Sequence, residues 1–202
     1  MLINKTVLAQ TFYDRDVCDV ARDLIGRRLV RKGNGGIIAG IIIEAEAYRG
    51  EEDLACHAHV GKTKRNAVMY GPPGHAYIYF TYGMHWMLNC VSGPEGFPAA
   101  VLLRSILPTD GLKIIAARRH QRGPAEWCNG PAKICQALDL DSRLNGTPLF
   151  HQDGILRIEE GILVPPSIIQ TSPRIGLGNT PEPWLSKPWR FFISNDQFQM
   201  LG

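Results

Sequence analysis

The chain has 202 residues, enough for one domain with a real core and short for two. A hydrophobic fraction of 45% and a charged fraction of 20% are ordinary globular values and exclude disorder, collagen-like repeats and coiled coil. The 22 Lys and Arg against 19 Asp and Glu leave a formal charge of +3, a total that permits a nucleic-acid partner without arguing for one.

No apolar run reaches the roughly 18 residues of a membrane-spanning helix; the longest, Ile37 to Ile43 and Tyr77 to Phe80, are strand length. Met1 to Lys5 lack the basic region, long apolar stretch and small-residue cleavage site of a signal peptide. Cys18, Cys56, Cys90, Cys128 and Cys135 form no CxxC pair and cannot all be matched, which fits a reducing compartment. Cytoplasmic residence is expected.

Along the chain, residues 14–25 (DRDVCDVARDLI) place Val17, Val20, Ala21, Leu24 and Ile25 at helical spacing behind a capping Asp14, with Gly26 as the stop. RRLVRK and IIAGIIIEAEAY flank Gly33-Asn34-Gly35-Gly36 and read as a β-hairpin. Residues 51–74, rich in Gly, Pro, His and charge, have no sustained period and read as a long functional loop. HAYIYFTY, MHWMLNCVS and PAAVLLRSIL follow as three strands, the first two joined tightly at Gly83. Thr109-Asp110 are placed to cap a helix through about Arg119, and Gly130-Pro131 open another, PAKICQALDL. ILRIEE, GILVPPSII and FFIS complete the strand-like pieces. Hairpins with segregated helices argue an α+β domain, spanning residues 1–202, with a mostly antiparallel sheet.

Alternation in IIIEAEAY puts Glu44, Glu46 and Tyr48 on one face of a strand, with Ile43, Ala45 and Ala47 on the other. The face is either solvated or carries a general base, Glu44 or Glu46, beside an aromatic wall. Tyr77 and Tyr79 likewise share a face, opposite Ile78, Phe80 and Tyr82. Tyr82 at a hairpin tip, beside Gly83 and Met84, is poorly placed to be core and suited to wedging between stacked bases. Leu102 and Arg104 share a face of an apolar strand, where the arginine needs either a salt-bridge partner or a phosphate. Cys56-His57-Ala58-His59 is a weak metal signal, since no second Cys/His pair has zinc-like spacing. No GxGxxG, Walker loop or GxSxG is present.

Charge is unevenly distributed. Arg104, Lys113, Arg118, Arg119 and Arg122 face only Asp110 in sequence, Arg27, Arg28, Arg31 and Lys32 stand unopposed, and Lys62, Lys64 and Arg65 cluster in the long loop. Such patches give a local positive field despite a small total. The Gly130-Pro131 helix start, with Lys133, offers backbone N–H groups to an anion.

Six blocks in order, IIIEAEAYRGEEDLACHA, RNAVMYGPPG, YIYFTYGMHWMLN, AAVLLRS, NGPAKICQALDL and PRIGLG, closely resemble the alkyladenine DNA glycosylase family, the mammalian-type 3-methyladenine DNA glycosylases. The resemblance runs from the first helix to FFIS. It implies a single α+β domain with a curved, mostly antiparallel sheet and a DNA-inserting hairpin. It further implies a monofunctional hydrolase that flips alkylated or deaminated purines out of duplex DNA. By this resemblance Glu46 is the general base and Arg104 helps hold the attacking water. Tyr48, His57 and Tyr79 sandwich the base, with Asn89 and Leu102 in the pocket and Asn89 disfavouring guanine. Tyr82 fills the gap in the duplex, with Met84 near it. Arg65, Gly130, Ala132 and Lys133 meet the DNA backbone. His85 and Met87 depart from the vertebrate tyrosine and cysteine, which leaves details of the DNA-facing hairpin open. The vertebrate N-terminal extension is missing, as expected of a compact bacterial form. No cofactor or metal is implied, and the expected partner is double-stranded DNA containing damaged purines, met by a monomer away from any membrane. Two other readings compete: a non-catalytic reader of damaged nucleic acid, and a metal hydrolase built on Glu44, Glu46 and His57.

Overall fold

The structure, a computed structural model, describes residues 3–33, 35–120 and 122–199. Nine strands form one sheet: β1 (Asn4–Val7), β2 (Arg28–Gly33), β3 (Gly36–Arg49), β4 (Ala76–Thr81), β5 (His85–Ser92), β6 (Ala99–Asp110), β7 (Leu156–Gly161), β8 (Gln170–Ser172) and β9 (Arg190–Phe192). Their order is β1-β7-β2-β3-β6-β5-β4, with β9 also on β3 and β8 on β9. All these pairings are antiparallel. Among the described residues four α-helices accompany them: α1 (Val17–Asp23), α2 (Leu112–Arg118), α3 (Pro131–Leu138) and α4 (Asn195–Gln199). The α+β class read from the sequence holds.

The long strand β3 is the spine. Along one edge it pairs β6 from Ala39 to Arg49; along the other its first half pairs β2 and Glu44–Glu46 pair β9. Alternation then sorts its side chains by face. Ala45 and Ala47 enter the main core with Val101 and Leu103 of β6 and Leu88 and Cys90 of β5. Small residues there let α1 lie close, and its Val17, Val20 and Ala21 join the same core. On the other face a smaller cluster gathers Val91, Ala100 and Tyr77 with Cys56, Ala58 and Met69 from the long loop, and Tyr48 and Tyr79 pack against it. Each large apolar side chain so buried contributes roughly 1.5–3 kcal/mol before chain entropy is counted.

Four expectations need correction. Helix α1 is capped by Asp16, whose carboxylate accepts from the Cys18 N–H, and not by Asp14; Gly26, at φ 92, does end the turn as expected. Thr109 and Asp110 do not cap a helix but finish β6, and Gly111 at φ 72 precedes α2. The strand wins because the Asp110 carboxylate is taken by the Arg28 guanidinium at 2.7 Å. GILVPPSII forms no strand beyond its first glycine; consecutive Pro165 and Pro166 lack N–H groups for a ladder, and Pro166–Ile168 make a 3₁₀ turn. Arg27 and Arg28 are not unopposed, since β7 pairs with β2 and brings Glu160 to Arg27 and Glu159 to Arg28. Arg118 also finds Asp139, at 3.8 Å.

The β2–β3 hairpin closes at Gly33 and Gly36, with Asn34 of its turn outside the described residues, as are Met1 and Leu2 of the N-terminal segment. The loop of residues 51–74 carries two 3₁₀ turns, His57–Val60 and Ala67–Tyr70. β1, β8 and α4 have no counterpart in the sequence reading: each is short, and β1 has mostly exposed positions.

Candidate functional site

Register assembles the site. Glu46 lies opposite Leu102, Leu102 opposite Asn89, and Asn89 opposite Tyr77, one cross-strand row over β3, β6, β5 and β4. Cross-strand neighbours share a face. In the next row Tyr48 lies opposite Ala100 and Ala100 opposite Val91, so a small residue leaves space beside the tyrosine ring. Of these side chains Leu102, Asn89, Tyr77, Tyr48 and Ala100 line a cavity of about 400 Å³ together with His57, Tyr79, Arg104 and Ile175; Tyr82 stands at its rim.

Of the two readings left open for that strand face, the solvated one fails at Glu46, which is 0% exposed. Its carboxylate is held by three donors: the Ile175 N–H to Oε1 at 2.6 Å, and the Tyr48 hydroxyl at 2.9 Å and Arg104 Nη1 at 3.2 Å to Oε2. Burial raises its pKa above the ordinary value, while Arg104, the Ile175 N–H and the Tyr48 hydroxyl pull it back and Glu44 adds to the rise. Burial, with Glu46 alongside, raises the Tyr48 phenol.

Of the two readings left open for Arg104, the structure shows the salt-bridge partner. The arginine donates through Nε to Glu44 Oε1 at 3.0 Å as well as to Glu46, and it lines the cavity. Between Glu44–Ser105 and Ala45–Leu103 the β3–β6 register skips Arg104, an irregularity of the kind that re-aims a side chain beside a site. Arg190 of β9 also donates to Glu44, at 2.6 Å, so Glu44 is anchored by two guanidiniums.

The aromatic wall comes from two directions. His57, capped into its 3₁₀ turn behind Cys56, sets its ring edge-on to Tyr79 with centroids 4.4 Å apart, and its Nδ1 meets the Tyr77 hydroxyl at 3.0 Å. Burial, then the Arg65 and His59 charges, lowers the His57 pKa to about 4, which keeps the ring neutral. Burial pushes the Tyr79 phenol up to about 12. Asn89 is buried and donates from Nδ2 to the Tyr77 carbonyl at 3.0 Å, which fixes its amide.

Tyr82 is 81% exposed and in the left-handed region at φ 52, with Met84 exposed beside it at the β4–β5 tip. Arg65 is exposed, lies 5.1 Å over the Tyr79 ring and donates to the Phe80 carbonyl. Gly130 is the N-cap of α3; Pro131 touches the aromatic cavity, while Ala132 and Lys133 line a second hollow with Met84, His85 and Trp86. Lys133 Nζ donates to Asn129 Oδ1 at 2.7 Å. The sequence reading thus found residues that converge, and missed others. Ile175, Arg174 and Asp53 were assigned no part, although PRIGLG was among the matching blocks. The Tyr77 hydroxyl was likewise passed over, although its shared face with Tyr79 was the available signal. Of the Cys-His-Ala-His group, His59 Nδ1 meets the Cys56 carbonyl at 2.7 Å and His57 faces Tyr77; among the described residues no three His, Cys, Asp or Glu side chains cluster as metal ligands.

Comparison with known proteins places this geometry. The sequence model described as methylpurine-DNA glycosylase matches residues 11–197. A "Putative 3-methyladenine DNA glycosylase" of Carboxydothermus hydrogenoformans is 45% identical over 192 residues, 95% of this chain and 97% of the relative. Proteins of the same name from Methanocella arvoryzae, 45% identical over 94% of this chain and 93% of theirs, and Streptomyces avermitilis, 43% identical over 96% and 90%, are similar throughout. The chain belongs to the methylpurine-DNA glycosylase family. It is a DNA N-glycosylase, a hydrolase.

Proposed function

We propose that the protein removes alkylated or deaminated purines, of the 3-methyladenine, 7-methylguanine, hypoxanthine and ethenoadenine class, from duplex DNA by flipping the nucleotide and hydrolysing its N-glycosidic bond. The observation that carries this is a fully buried carboxylate, Glu46, held by three donors from Tyr48, Arg104 and Ile175, residues that themselves line an aromatic cavity large enough for a purine. No helix among the described residues is long and apolar enough to cross a membrane, and we take the protein to act as a cytoplasmic monomer.

A stacked purine hides its glycosidic bond, so the nucleotide must leave the helix and its stacking must be replaced. Tyr82 enters the gap, with Met84 alongside. The extruded base is received between Tyr48, His57 and Tyr79, and a cationic alkylated purine gains about 0.5–2 kcal/mol over such ring faces. Asn89, its amide fixed by the Tyr77 carbonyl, crowds the exocyclic amine of guanine. Leu102, between Glu46 and Asn89 in register, forms the floor. Water attacks C1′ as the C1′–N bond breaks and its electron pair leaves with the purine; Glu46 takes the proton from the water. Arg104 orients that water and favours the ionised carboxylate. Phosphates are met by Arg65 and by Gly130, Ala132 and Lys133 at the start of α3.

Glu46→Gln tests the assignment. Base release from a single-lesion duplex is expected to fall by at least about 100-fold, while affinity for that duplex survives. Undiminished release removes Glu46 as the base, and binding without release by the parent protein would mark a reader instead of an enzyme of this substrate class. A panel of defined lesions read in the same assay gives the preferred purine.

A further inference from the structure

Between β8 and β9, residues 173–189 contain no helix or strand, yet the Ile175 N–H is held 2.6 Å from the Glu46 carboxylate. The neighbouring side chain is the reason. Arg174 is 0% exposed along its side chain and pairs with Asp53 through two parallel contacts, Nη1 to Oδ2 at 2.6 Å and Nη2 to Oδ1 at 2.9 Å. Nη1 also donates to the Ala47 carbonyl at 3.0 Å and Nη2 to the Trp184 carbonyl at 3.3 Å. The guanidinium lies over two rings, Tyr48 at 4.7 Å and Trp189 at 5.1 Å.

Asp53 is equally occupied. Its carboxylate accepts from the Arg49 and Ala55 N–H groups, both at 3.1 Å, and so shapes the turn that runs from the end of β3 to His57. One ion pair therefore joins three pieces of the cavity wall: the Tyr48 strand, the approach to His57, and the segment carrying Ile175. Replacing a buried pair by apolar residues often costs no stability, so stability alone gives little reason for a charged pair here. Geometry gives one.

We propose that Arg174 and Asp53 are positioning residues for the reaction, holding the Ile175 N–H on the Glu46 carboxylate and Tyr48 against the cavity. The proposal rests on the reading of Glu46 as the base. A lysine at 174 keeps the charge and loses the planar fork, which a point charge cannot reproduce. Facing Glu46 are Glu44 and Tyr48 on β3, Arg104 on β6, Tyr79 on β4 and, behind Glu44, Arg190 on β9. All are unchanged by Arg174→Lys, so a change in the ionisation of Glu46 reports the lost N–H and not a lost charge.

The experiment is single-turnover base release by Arg174→Lys as a function of pH, with duplex affinity measured alongside. We expect the rate to fall about 10- to 100-fold, the cost of a displacement near 1 Å, with affinity within about 3-fold of the parent. The acid limb of the rate profile should move to higher pH. A folded variant with the parent rate and limb overturns the proposal, and so does a rate loss matched in affinity with the limb unmoved. Should Arg174→Lys fail to fold, Asp53→Asn is measured in the same way. An independent readout needs no activity: the Ile175 amide proton should follow the ionisation of Glu46 in the parent and lose that dependence in Glu46→Gln, and an indifferent amide overturns the proposal. Inactive Glu46→Gln beside parent-like Arg174→Lys sinks the positioning role alone; fully active Glu46→Gln sinks the reading beneath it.

Discussion

At the residue scale, the site sets opposed demands on single groups. The base proposed at Glu46 must be ionised to take a proton, yet burial favours the neutral carboxyl, and the three donors on Glu46 restore part of what burial removes. His57 meets the same pressure from the other side. Its native pKa lies near 4 against an ordinary 6.5, so the folded protein resists protonation that the unfolded chain accepts. The stability this histidine provides is therefore full above pH 6.5, declines as pH falls toward 4, and declines no further below it. His57→Gln should consequently show a shallower loss of melting temperature between pH 6.5 and 4 than the parent, measured by circular dichroism in matched buffers; parallel curves would place the neutral ring in doubt.

Elements explain what residues cannot. The β4–β5 hairpin projects Tyr82 and Met84 into solvent, while Tyr79 and Tyr77, three and five residues before Tyr82, line the cavity. Tyr82→Ala keeps the left-handed backbone at φ 52 equally strained and removes little packing, so the melting temperature should stay within about 2 °C of the parent. Excision from duplex DNA should fall about 10-fold or more as the replacement stacking is lost, and excision from a single strand, where no gap opens, should fall far less. Equal losses on both substrates would remove the wedge. Hairpins of this kind were legible because alternation and Gly83 are local signals. The α1 cap was displaced by two residues because Asp14 and Asp16 are equivalent in sequence, and only geometry gives Asp16 the Cys18 N–H. Burial of Glu46 was not legible at all from alternation, which marks a face without saying what covers it; the Ile175 segment, distant in sequence, lies against it.

Over the whole molecule, charge is spent differently from what a count suggests. Arg27, Arg28 and Arg118 are engaged by Glu160, Glu159, Asp110 and Asp139, partners that local sequence could not reveal because β7, the end of β6 and the end of α3 deliver them. On the proposed reading, the field that meets DNA comes from the exposed Lys62, Lys64 and Arg65 and the start of α3. Affinity for duplex DNA should fall with salt at about one unit of log slope for each phosphate met, and Arg65→Gln should lower that slope by about 0.9. Arg27→Gln should leave it unchanged. A slope indifferent to both substitutions, read by fluorescence anisotropy, would place the phosphates elsewhere.

The pairing of β9 with the middle of β3 also has a consequence in time. During synthesis β3 is made long before residues 175 and 190, whose N–H and side chain hold Glu46 and Glu44. Until those last residues are free to dock, the carboxylates stand open to water on an incomplete sheet. The two carboxylates thus gain these partners only once residues 129 and 146 positions further along the chain have been made.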